Sequence, residues 1–186
     1  MNLSPIKNET YGGSIVLKKL LQIIGTLALK TLGWKVVGSY PKQQCVIVIA
    51  PHTSNWDFFF LLFLAFHWGV IGKCMWIGKH TIFRWPIDGI LRSLGGRPVN
   101  RTQSNNLVHS IAGLMSEQPD LSLALAPEGT RSYKPHWKKG FYRIAQRAKV
   151  PISLAFVDFK SKRVNYVLSL LGLTIEVILH GMEDTR

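Results

Sequence analysis

The sequence predicts an α/β domain with a largely parallel central sheet flanked by helices. Three observations predict it. Short β-branched runs alternate with helical spacings along the chain. Polar, reactive residues stand directly after the predicted strands, where open parallel sheets collect their chemistry. No repeat, low-complexity stretch or linker divides the 186 residues, so a single domain is the expectation.

The elements follow in order. Cys45 to Ala50 (CVIVIA) reads as a buried strand by its β-branched content, and Asp57 to Trp68 as a helix. Cys74 to Ile77 is a short strand, followed by a helix around Ile87 to Leu94. The Gly95-Gly96 turn opens a strand at Arg97 to Asn100. Leu107, Ile111 and Leu114 lie at helical spacing with Met115 beside them, and Leu121 to Ala126 is a strand. Phe141, Ile144, Ala145 and Ala148 form one helical face. Val150 to Phe159, Val164 to Leu170 and Thr174 to His180 read as strands, and the last of them follow closely enough to be antiparallel. Residues 1–13 read as loosely ordered.

Ahead of these elements, residues 14–34 read as an amphipathic helix. Lys18, Gln22, Thr26 and Lys30 recur every four residues and make one polar stripe; the rest is mostly Leu, Ile, Val, Ala and Gly. Such a helix suits a bilayer interface, with lysines toward headgroups and leucines in the acyl boundary. By pattern alone, packing against the protein core explains it equally well. No apolar run reaches the roughly 20 residues of a spanning helix. A signal peptide is rejected because the apolar stretch starts late and ends in Lys30 without a small-residue cleavage site.

With 47% apolar and 18% charged residues, a disordered tail is excluded. Lys+Arg number 23 against 10 Asp+Glu, a net charge of +13. A fold does not require that excess. A polyanionic partner would use it: nucleic acid, an anionic membrane or an acidic protein. Cys45 and Cys74 are too few for a disulfide framework, and no Cys/His cluster suggests a metal, so both are expected as buried thiols.

Three constellations carry chemistry. After CVIVIA comes Pro51-His52-Thr53-Ser54-Asn55-Trp56-Asp57. His52 and Asp57, five apart, cannot meet on one continuous helix. They can meet if His52 ends the strand, Thr53 to Asn55 turn the chain, and Asp57 lies in the first helical turn, where the dipole favours a carboxylate. Asp57 then fixes the imidazole tautomer and leaves the other nitrogen as a base. Nothing beside the pair is an obvious nucleophile, so the attacking hydroxyl would come from a substrate. A His/Asp pair alone is more simply read as capping and loop residues.

After LSLALA comes Pro127-Glu128-Gly129-Thr130-Arg131. Gly129 permits a tight backbone, Glu128 accepts from hydroxyls, and Arg131 offers a planar fork for phosphate. An ordinary surface turn is the alternative. Arg101, at the end of Arg97 to Asn100, can face the same cleft. Lys79, Lys138 and Lys139 add positive charge, though each taken alone reads as a solvated lysine.

These strings resemble the glycerolipid acyltransferase family, which includes the lysophosphatidic acid acyltransferases. HTSNWD is similar to its H-x-x-x-x-D block, GKHTIFRWP with LGGRPVNR to the second, PEGTRS to the third and Val150-Pro151-Ile152 to the fourth. The four stand in order over about residues 45 to 157. Asn100 stands where an acidic residue often precedes the arginine, and Ala126 replaces an aromatic; both bear on acceptor fit.

The resemblance implies an acyltransferase domain over residues 35–186. It implies His52 as general base oriented by Asp57, and Arg131 and Arg101 on the acceptor phosphate. Glu128 would hold glycerol hydroxyls, with Gly129, Thr130 and Lys79 completing the substrate site. It implies an acyl thioester donor (acyl-CoA or acyl carrier protein), a lysophospholipid acceptor such as 1-acyl-glycerol-3-phosphate, and no metal or bound cofactor. Peripheral or monotopic residence on the cytoplasmic face of a membrane is expected, and no nucleic acid. The alternatives are a basic module without catalysis, with Trp85 near Arg84 and Trp137 near Lys138 stacking on bases, and a hydrolase in which His52 activates water.

Overall fold

The computed structural model describes residues 15–50, 56–99, 104–129 and 137–169. The expectations for residues 1–13 and for a strand at Thr174 to His180 lie outside them. The strands are β1 (Lys35–Val37), β2 (Val46–Ala50), β3 (Cys74–Lys79), β4 (Gly96–Val99), β5 (Ser122–Leu125), β6 (Ile152–Asp158) and β7 (Arg163–Ser169). The helices are α1 (Ile15–Thr31), α2 (Trp56–His67), α3 (Asp88–Ser93), α4 (Ser104–Glu117) and α5 (Gly140–Ala148).

The seven strands form one sheet in the order β1-β7-β6-β2-β5-β3-β4. Every pairing is parallel except β6 with β7. The largely parallel α/β sheet is therefore as expected, and the antiparallel pair falls where the short connection allows a hairpin. Asp158 shapes that turn by accepting from the amides of Lys160 and Ser161 and from the Ser161 hydroxyl. The Ser161 bonds hold its carboxyl below the usual range.

Parallel strands must be covered on both faces, and two sets of helices do so. One face buries Val46, Val48, Met75, Leu123, Ile152 and Leu154 against Ile111, Leu114 and Met115 of α4 and Phe141, Ile144 and Ala145 of α5. On the other, Phe60 and Leu64 of α2 pack with Leu29 of α1, Val157 and Val164. Gln44 joins the layers at the strands' amino ends. Its side-chain amide donates to the carbonyls of Met115, Gln118 and Leu121 at 2.8, 2.8 and 2.9 Å. Both cysteines are free, as expected, Cys45 buried and Cys74 partly so.

α1 packs on the protein core along one side, as one of the two readings expects, and leaves apolar residues exposed on the other. One side packs on α2 at Gly25 and Leu29, both buried. Two members of the polar stripe turn toward α2 rather than away: Gln22 is half-buried, its side chain beside Gly69, and Thr26 hydrogen-bonds His67 Nδ1 at 2.9 Å. Lys18 and Lys30 stay exposed, and so do Ile15, Val16, Leu20, Ile23, Ile24 and Leu27. Among the described residues, no helix is long and apolar enough to cross a membrane.

Candidate active site

The register of β2, β5, β3 and β4 levels their carboxyl ends. Val48 pairs with Leu125, Trp76 with Ala124, and Lys79 with Val99. Counting forward from these pairs puts Ala50, Pro127, Lys79 and Val99 in one row across four adjacent strands. At about 4.8 Å between neighbours, the row is roughly 14 Å long. The segments that carry His52, Glu128 and Arg101 leave the sheet from this row, whereas Val150-Pro151-Ile152 enters β6 at the opposite end. His52 comes two residues after Ala50, Glu128 one after Pro127, and Arg101 two after Val99.

Asp57 is the second residue of α2 and only 3% exposed. It shares the buried side of the helix with Phe60 and Leu64, three and seven residues on, so its carboxylate faces the sheet. The helix start supplies favourable dipoles for a negative charge there.

Glu128 and Gly129 follow Pro127 in a turn closed by the Gly129 amide donating to the Ala126 carbonyl at 3.3 Å. Gly129 has φ +64, a conformation that disfavours any side chain. The residue that sequence reasoning undervalued is Lys138. Its amide donates to the Pro127 carbonyl at 3.0 Å, and a Cβ at Gly129 would lie 3.2 Å from Lys138 Nζ. Lys138 is exposed, as a solvated lysine is, with its side chain lying along the Glu128-Gly129 turn opposite the bare glycine. Lys79, between Pro127 and Val99 in the row, is exposed. His52, Arg101, Thr130 and Arg131 lie outside the described residues, so of the expected set the row holds Lys79, with Glu128 and Gly129 just past it, while Asp57 stands at the start of α2.

A mostly parallel α/β sheet with the H-x-x-x-x-D and E-G-T-R strings at the ends of adjacent strands defines an acyltransferase domain. The acyltransferase family model matches residues 34–153, and the chain belongs to that family. The chain is 31% identical over 138 residues to the 1-acyl-sn-glycerol-3-phosphate acyltransferase of Limnanthes douglasii and 30% identical to that of Limnanthes alba. Each match covers 70% of this chain and 47% of the relative, so the chain spans about half the length of the curated relatives it matches. Its fold is similar to the crystal structure of the 1-acyl-sn-glycerophosphate (LPA) acyltransferase PlsC from Thermotoga maritima. The TM-score is 0.55, with 91% of this chain and 80% of that one covered, at 19% identity.

Proposed function

We propose that the chain is an O-acyltransferase that moves a fatty acyl group from an acyl thioester to a free hydroxyl of a lysophospholipid such as 1-acyl-glycerol-3-phosphate. The relatives' names support the acceptor class. The observation that supports the chemistry is Asp57, a buried carboxylate at the start of α2, the helix that follows the His52 segment.

In this reading His52 takes the proton of the acceptor hydroxyl as that oxygen attacks the thioester carbonyl. The tetrahedral adduct collapses, the C–S bond breaks, and the imidazolium returns the proton to the departing thiolate. Asp57 holds the imidazole tautomer and stabilises its charged form. No acyl-enzyme forms, because the acceptor itself is the nucleophile. Arg131 and Arg101 bind the acceptor phosphate, Glu128 orients its hydroxyls, and Lys79 and Lys138 add positive charge at the same edge. Holding two substrates in one geometry supplies a large share of the acceleration. The donor is acyl-CoA or an acyl carrier protein, and the exposed apolar side of α1 keeps the domain on the membrane surface where its acceptor resides.

The test is acyl transfer by purified His52→Ala protein, followed by mass spectrometry of the lipids formed. The expected loss is about 10²–10⁴-fold in kcat, the usual range for general-base catalysis. Near-normal transfer by the variant would sink the mechanism. Free fatty acid released equally with and without a lyso-lipid acceptor would assign a hydrolase instead.

A further inference from the structure

Large apolar side chains left in solvent are distributed unevenly. Among the described residues, eight lie on α1 and just past its end, and five more are Phe59, Ile82, Trp85, Ile87 and Ile90. Two others, Val37 and Phe159, belong to the β1–β7 side, whereas α4 and α5, over the opposite face, contribute none. Ile82, Trp85, Ile87 and Ile90 all belong to the connection from β3 to β4, with Trp85 92% exposed.

This connection lies on the same side of the sheet as α1 and α2. Trp76 of β3 meets Phe58 of α2 at 5.1 Å and Phe83 of the connection at 5.7 Å, ring centre to ring centre. α1 packs on α2 through Gly25. The base of the connection is held firmly: the Trp76 indole donates to the Leu94 carbonyl at 3.0 Å, and Arg92 pairs with Asp88 at 2.8 Å. Exposed apolar residues on a held base are not a loose loop that has failed to pack.

We propose that the β3–β4 connection is a second membrane contact, inserting Trp85, Ile82, Ile87 and Ile90 into the headgroup–acyl boundary of an anionic phospholipid bilayer beside α1. Charge favours that occupant. Lys79 and Arg84 flank the patch, and its one acidic residue, Asp88, is paired with Arg92. Tryptophan suits the boundary, with an apolar body and a polar edge. The connection also begins at Lys79, a member of the strand-end row, so insertion sets the candidate site at the bilayer surface. The proposal rests on the lipid-acceptor reading, and its test separates the two.

Sedimentation with phosphatidylcholine vesicles, with and without phosphatidylglycerol, reads the contact without any catalysis. Trp85→Ala should weaken binding to the anionic vesicles about tenfold, the effect of one large side chain leaving the interface, and Trp85→Ala with Ile90→Ser about a hundredfold. His109→Ala, exposed on α4, should change nothing. Unchanged vesicle binding in the double variant overturns the proposal. So does a dimer that Trp85→Ala converts to monomer while vesicle binding stays, because the patch then joins two copies of the chain. Transfer to a short-chain, water-soluble acceptor is measured in parallel and should survive Trp85→Ala. Trp85-dependent binding without any transfer in the wild type keeps the contact and sinks the enzymatic reading; transfer without Trp85-dependent binding does the reverse.

Discussion

Replacing Gly25 by alanine tests how closely α1 is seated on α2. A Cβ built there would lie 2.5 Å from the Phe63 carbonyl oxygen, 2.6 Å from the His67 nitrogen and 2.7 Å from Phe66 Cβ. Two of those atoms are backbone and cannot swing aside. Carbon contacts settle at about 3.5–4.0 Å, so the helices must part by roughly 1 Å. Overpacking of that kind costs about 1–3 kcal/mol, while exchanging a helical glycine for alanine gains about 1 kcal/mol. The expected net is a destabilisation of about 0–2 kcal/mol. Gly113 in α4 is the internal control, with nothing within 4 Å of the added carbon. Gly113→Ala should therefore stabilise by about 0.5–1 kcal/mol through helix propensity alone. Urea unfolding and thermal melting of both variants measure the gap, at about 2–4 °C in Tm per kcal/mol for a chain of this size. If Gly25→Ala stabilises as much as Gly113→Ala, α1 is not held at this distance, and membrane surface rather than α2 carries the helix.

Gln44→Leu removes the side-chain donor shared by three carbonyls at the end of α4 and the entry to β5. It should cost about 1–3 kcal/mol, read as a lower urea midpoint at unchanged slope; a loss under about 0.5 kcal/mol would mean that water replaces the amide. The two thiols give a pH prediction. Burial pushes Cys45 up to about 11 and Cys74 up to about 12. Thiols raised in this way stay neutral when folded but ionise near pH 8.5 when unfolded. Their contribution to stability is full below that pH and declines as pH rises toward 11–12. A disulfide-exchange reagent at pH 8 should leave the native protein unlabelled and react with both thiols after denaturation. Fast labelling of either in the native state would contradict their burial.

Periodicity and strand-end chemistry made most of the fold legible. β2 to β6 and their helices fall within a few residues of the pattern-based boundaries, because each is long enough to show its own period. β1 was missed. It is three residues long, largely exposed, and exists through its pairing with β7, more than a hundred positions later. No local signal encodes that. Strand order was equally hidden: β5 lies between β2 and β3 because the α4 crossover carries the chain back across the sheet. The polar stripe of α1 was visible, but its direction was not, since Gln22 and Thr26 find partners on a helix the pattern does not mention. For the site, the strings marked the right strand ends, while Lys138 became visible only when its stem was found against Gly129.

The burial of Asp57 bears most directly on what the site is for. A first-turn aspartate that only capped α2 would gain the helix dipole while remaining hydrated, at no desolvation cost. This one is turned inward among Phe60 and Leu64, where an ionised carboxylate costs on the order of several kcal/mol unless its charge is answered. In the proposed reaction its use is a fixed negative charge at the start of α2, directly after a segment that carries a histidine. A carboxylate held that way stabilises an imidazolium most when water is excluded, which is when a base must accept and return a proton within one turnover. In the proposed mechanism, burial of this kind is what makes the carboxylate effective on the imidazolium.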